Sequence, residues 1–168
     1  MRAVESAEYI VVSGAGLESF LDDVLTDKSK IIDSSTGISL LESCEHHHGD
    51  HAHEIYDAHI WLSPLNAKLM ASNICDGLTQ AYPEYADCFY ANLVELHAEL
   101  DELIVFAENA LGDLPNRQII TFHDGFSYMA ADFGLHIVQA IEEESGSEAS
   151  ARELKEELAI AKKEMRQH

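Results

Sequence analysis

Pro83 interrupts what would otherwise be one long helical stretch, and this break constrains the fold more than any other feature of the chain. Upstream, Ser63-Pro64 supplies a capping hydroxyl followed by a proline at the first helical position, which predicts a helix start. Leu65, Leu69, Ile74 and Leu78, with small Ala67, Ala71 and Ala81, carry that helix to about Tyr82. Beyond Pro83, Phe89, Leu93, Leu96, Leu100, Leu103 and Phe106 recur every three or four residues up to Leu111. At about 1.5 Å per residue the second helix is on the order of 40 Å long, enough to run from one lobe to another.

Strands flank this helical centre. Tyr9-Ile-Val-Val-Ser13 is short, β-branched and closed by Gly14-Ala15-Gly16, so it reads as a buried strand turning into a helix over 17–25. The turn has a G-x-G, but Ser19 stands where a phosphate-binding fingerprint needs its third glycine, which argues against a nucleotide site. Lys30-Ile31-Ile32-Asp33 is a second strand. After Gly112-Asp-Leu-Pro-Asn116, the run Gln118 to Phe122 reads as a strand ending at His123, followed by a helix over 125–133 capped by Gly134 and a strand over 135–141. Ser150 opens a charged helix with Leu154, Leu158 and Ala161 as its apolar stripe. Strands alternating with helices define an α/β class with parallel sheets.

Ten basic residues against 31 acidic ones give a formal charge of −21, which repels nucleic acid and anionic lipid alike. Acidity of this size tolerates cations and equally serves solubility. No apolar run approaches the roughly 20 residues that span a bilayer, so no direct membrane span is expected. Cys44, Cys75 and Cys88 are too few and too irregular for a disulfide framework or a CxxC metal site, and Cys75 and Cys88 read as buried thiols on helices. The acidic start Met1-Arg-Ala-Val-Glu5 is unlike a secretory signal, so export would depend on a signal outside this chain.

Between residues 45 and 54 the sequence is Glu-His-His-His-Gly-Asp-His-Ala-His-Glu, which has no hydrophobic period and builds no core. His46, His47, His48, His51 and His53 supply imidazoles of the kind that bind zinc, copper or nickel. A tag is an unsuitable explanation inside a chain, and a pH-sensitive loop is the alternative. An irregular run binds loosely and in several geometries, so it reads as a collector rather than a rigid tetrahedral site. His59, before a helix start, and His123, at a strand's carboxyl end, lie where open α/β sheets gather ligands, although a lone histidine is more often structural. Asp124 either orients an imidazole or caps the following helix, with capping the stronger reading.

Ser13-Gly-Ala-Gly-Leu-Glu-Ser-Phe-Leu21, the histidine-rich insert, Asp57-x-His59-x-Trp61-Leu-Ser-Pro64-x-Asn66-Ala67, Tyr90-x-Asn92 and Thr121-Phe-His-Asp124-x-Phe126-x-Tyr128 occur in one order along nearly the whole chain. Together they resemble the high-affinity zinc-uptake solute-binding proteins of the cluster A-I family. The resemblance implies a two-lobed metal-receptor architecture with a long bridging helix: residues 1–82 as the remainder of an N-terminal lobe, 83–112 as the bridge and 113–168 as part of a C-terminal lobe, both lobes incomplete. It implies His59 and His123 as Zn(II) ligands, an ABC transporter permease as partner and a periplasmic or cell-envelope location, with no enzymatic activity. Manganese-selective relatives carry glutamate at the position of His123, and imidazole there suits zinc better. Ala58 replaces a proline common before the ligand histidine, an exchange expected to loosen the approach to His59. The family's first ligand histidine and its late acidic ligand would fall before Met1 and after His168, so two ligands alone leave a tetrahedral site incomplete.

Three other functions fit parts of the pattern. A zinc buffer or metallochaperone would need only the histidine run. A zinc hydrolase would use Asp124 or Glu144 to activate water, but no HExxH is present. An adhesin-like or manganese-binding role is known among relatives of the family, and aromatic residues such as Trp61, Phe122, Phe126 and Tyr128 read as core rather than as exposed contacts. Missing outer strands would leave sheet edges open and favour self-association.

Overall fold

The computed structural model describes residues 2–42, 56–142 and 159. The histidine run, Cys44, Glu144 and the helix expected from Ser150 lie outside the described residues. The chain divides into two compact units, residues 1–105 and 106–168.

The first unit begins with a short helix, α1 (Arg2–Ser6), and continues into β1 (Ile10–Val12) and β2 (Ile31–Asp33). The strands pair in parallel, Ile10 opposite Ile31 and Val12 opposite Asp33, as two β-branched runs in an α/β fold should. Val12 and Ile32 are buried, and so is Leu25 from the connection between the strands. Over 17–25 that connection is not the helix its sequence predicts: it holds a 3-10 turn at Ser19–Leu21, and a second 3-10 turn at Lys28–Lys30 leads into β2. Gly14, Ala15 and Gly16 all take positive φ, and the Glu18 carboxylate turns back to accept the N–H groups of Ser13 at 2.7 Å and Gly14 at 3.1 Å. With Phe20 78% exposed, the segment lacks a buried face long enough to stabilise helical turns.

The helix α2 (Pro64–Ala81) starts as the sequence predicts, with the Ser63 hydroxyl accepting from the Asn66 N–H at 2.9 Å and Pro64 at the first position. It lies against β2 so closely that a Cβ on Gly77 would stand 2.6 Å from Ile32 Cγ2. Asn73 ties the same helix to the chain leaving β2, donating to the carbonyls of Ser34 and Thr36 at 2.8 Å each. Pro83–Tyr85 forms a 3-10 turn before α3 (Ala86–Gly112). Within the first unit α2 and α3 meet through the Lys68–Asp101 ion pair and through His97 Nε2, 3.0 Å from the Lys68 carbonyl. Between them lies an apolar groove of about 410 Å³ lined by Trp61, Met70, Ile74, Phe89 and Leu93. No residue of α3 is buried, and Leu103 and Phe106 of its predicted apolar stripe are exposed.

The second unit carries β3 (Gln118–His123), α4 (Ser127–Phe133) and β4 (His136–Glu142). β3 and β4 are parallel, with Gln118 opposite His136 and a register irregularity between Ile119 and Ile120. Gly134, at φ 62°, ends α4 in a left-handed cap, which glycine adopts without a Cβ clash. Arg117 donates to the Gly112 carbonyl at 2.8 Å and to the Phe133 carbonyl at 2.7 Å, joining the ends of two helices at the start of β3. Among the described residues of this unit, Tyr128, Ala130 and Ile141 are buried apolar side chains. Among the described residues no helix is long and apolar enough to cross a membrane.

Candidate metal site

His59 stands at the head of a 3-10 turn, Ile60–Leu62, that leads into the Ser63 cap of α2. Ile60 and Ser63 are fully buried, which anchors this turn from below. Two residues before the histidine, the buried Asp57 places its Oδ1 2.8 Å from the His59 backbone N–H and 2.8 Å from His59 Nδ1. One carboxylate oxygen therefore sets both the backbone and the ring. A carboxylate accepts, so in the neutral ring this contact favours the proton on Nδ1 and the lone pair on Nε2, the arrangement in which imidazole ligates a cation. The His59 ring is a quarter exposed, and the Trp61 ring packs beside it with centroids 5.3 Å apart.

Asp57 is itself held. Its N–H donates to the Leu41 carbonyl at 2.9 Å, and the adjacent Tyr56 pairs with Glu42 in an antiparallel bridge. The two chain ends that flank 43–55 are thus closed into a neck one residue from Asp57. The loosening expected from Ala58 is not what the geometry shows: Ala58 is buried, and the carboxylate on one side and the Ile60 N–H to Ala58 carbonyl contact on the other, at 2.8 Å, define the turn. The Asp57–His59 contact was not anticipated from the sequence, although Asp-x-His is the spacing at which an Asx turn brings a carboxylate to the second following N–H.

In the second unit His123 is the last residue of β3, half-buried and opposite Glu142 in the parallel register. Thr121, two residues earlier and so on the same side of the strand, is buried, and among the described residues its Oγ1 has no hydrogen-bond partner. Asp124 is not the cap it was expected to be. Phe126 occupies the N-cap position of α4 and makes no side-chain cap bond, because the helix starts two residues later than its sequence implied. Of the aromatic residues expected in the core, Tyr128 is buried, whereas Trp61 and Phe122 are 40% and 61% exposed. Cys75 is buried as expected, and Cys88 is exposed, on the outer side of the first turns of α3. His46, His47, His48, His51 and His53 lie outside the described residues, and within either unit no three described His, Cys, Asp or Glu side chains gather into a cage.

Each of the two units is thus a parallel α/β arrangement that carries one candidate histidine, His59 tethered by the Asp57 carboxylate and His123 closing β3. Comparison with known proteins bears on the same point. The family model described as zinc-uptake complex component A, periplasmic (ZnuA), matches residues 1–166, and the chain belongs to this family. It is 34% identical over 155 residues to the zinc-binding protein AdcA of Streptococcus pyogenes serotype M3, a match covering 81% of this chain and 30% of that protein. The crystal structure of ZnuA superimposes with a TM-score of 0.76 at 36% identity, over 96% of this chain and 62% of that one. Zn(II)-bound AdcA from Streptococcus pneumoniae matches with a TM-score of 0.78 at 28% identity, over 96% of this chain and 34% of that one. The chain thus spans about a third of the length of these streptococcal relatives.

Proposed function

We propose that this chain captures Zn(II) in the cell envelope and presents it to the permease of an ABC importer. His59 and His123 are ligands of the tight site, and the histidines at 46, 47, 48, 51 and 53 collect metal at lower affinity. Residues 1–82 and 113–168 form parts of two lobes and 83–112 the helix between them. The observation that carries the reading is the Asp57 carboxylate 2.8 Å from His59 Nδ1, the outer-shell partner that ligating histidines characteristically have. Imidazole donors favour zinc over manganese, which prefers oxygen. The chain acts as a receptor and not as an enzyme: the carboxylate nearest His59 is engaged by His59 itself rather than placed to activate water.

Calorimetric titration with Zn(II) against a competing chelator tests this, on the full chain and on the His59→Ala/His123→Ala double variant. A tight phase that disappears in the variant is expected. Only weak, multi-site binding, unchanged in the variant, would sink the receptor reading and leave the histidine run as the sole binder, which is the buffer function.

A further inference from the structure

The neck that closes off 43–55 and the head of the 3-10 turn are linked through one side chain. Asp57 is 9% exposed, its N–H is fixed by Leu41, and its Oδ1 meets both the N–H and Nδ1 of His59 at 2.8 Å. Ile60 and Ser63, on the other side of the histidine, are fully buried, so the backbone of the turn is already constrained from that direction. What those two residues do not determine is the ring's rotation and tautomer. Two contacts that bear on these are the Asp57 carboxylate at 2.8 Å and the Trp61 ring, tilted by 50° with centroids 5.3 Å apart. An aromatic face restricts the ring's position without choosing which nitrogen bears the proton, whereas a carboxylate chooses it outright.

We infer that Asp57 is a positioning residue for metal capture: it holds His59 as the Nδ1–H tautomer with Nε2 presented to the cation, and it transmits the fixed position of the Glu42–Tyr56 neck to that nitrogen. This inference rests on His59 being a ligand. Its effect on zinc passes through His59 and not through folding, because Asn at 57 retains an oxygen that accepts the His59 backbone N–H while losing the charge that polarises the ring.

A double-mutant cycle in the full chain decides it, with Zn(II) affinity measured by chelator competition for the wild type, Asp57→Asn, His59→Ala and the double variant. Asp57→Asn should weaken the tight phase by about 10–100-fold, the effect typical of removing an outer-shell partner. It should have no further effect in the His59→Ala background. Equal losses in both backgrounds would show a merely structural residue and overturn the inference, as would an unchanged affinity in Asp57→Asn. If His59→Ala alone leaves the tight phase intact, the ligand assignment fails first and takes this inference with it. Nitrogen-15 shifts of the His59 ring in the metal-free wild type give an independent readout that needs no folded variant. The Nδ1–H tautomer is expected in the neutral ring, and a dominant Nε2–H tautomer would overturn the proposal.

Discussion

Glu42 and Tyr56 pair as an antiparallel bridge, so the two chain ends that flank residues 43–55 meet at a single closed point. Replacing 43–55 with a short Asn-Gly turn, which suits an antiparallel pair, should therefore leave the fold intact. Loop length changes closure entropy only slowly, so the stability in urea should stay within about 1 kcal/mol of the wild type. Loss of the cooperative transition would mean that the neck depends on the insert. In the same variant the weak, multi-site phase of a zinc titration should vanish.

Gly77 provides the second test, at the contact between α2 and β2. Alanine there gains about 1 kcal/mol of helix propensity, but its Cβ would stand 2.6 Å from Ile32 Cγ2 and 2.9 Å from Cγ1, and overpacking costs about 1–3 kcal/mol. Gly77→Ala should destabilise on balance. Ile32→Ala removes the obstructing atoms, so in that background Gly77→Ala should become neutral or stabilising. A penalty of equal size in both backgrounds would show that the close approach is not the cause.

Glu18 closes the turn after β1 with two hydrogen bonds to backbone N–H groups. Glu18→Ala should cost about 1.5–3 kcal/mol, the range for hydrogen bonds to a charged group, measured by chemical denaturation. Gly14→Ala should cost at least as much, since φ is +82° and a Cβ would lie 2.2 Å from Asp33 Oδ1. Wild-type stability in either variant would mean that the turn is held by something else.

Tyr82 couples the start of the chain to the end of α2. Its hydroxyl donates to Glu8 Oε2 at 2.7 Å, and this bond to a carboxylate holds the phenol above its ordinary value of 10.0. The folded state thus keeps the Tyr82 proton at a pH where the unfolded chain has released it. The stabilisation is complete below the unfolded value and disappears as pH rises through the folded one. Stability measured from about pH 9 upward should fall more steeply in the wild type than in Tyr82→Phe. Parallel curves would remove Tyr82 from the alkaline transition.

The elements that were legible in the sequence are those with strong local signals. Ser63-Pro64 marks a helix start because a hydroxyl and a ring act on their immediate neighbours, and the runs at Ile10, Ile31 and Ile119 mark strands because β-branching is a local preference. The segment 17–25 departs from the expected helix because a carboxylate bond ties it to the preceding turn and Phe20 stands exposed rather than on a buried face. Cys88 and Phe122 were misjudged for a related reason, since periodicity says which residues share a face but not what lies opposite it. His59 was legible as a candidate, and its partner was not. A buried carboxylate looks like any other aspartate until the neck that buries it is seen, and pairing of residues 42 and 56 has no short-range signature.

Trp61 is the sole tryptophan of the chain, and its ring packs against that of His59 at 5.3 Å. The molecule therefore carries a built-in optical reporter whose ring lies directly beside that imidazole. Zinc held at His59 places a cation beside the indole and should alter its fluorescence, and His59→Ala should abolish that signal while leaving any uptake by other histidines in place. A single emission trace recorded during a titration would then separate the order in which the two kinds of histidine fill.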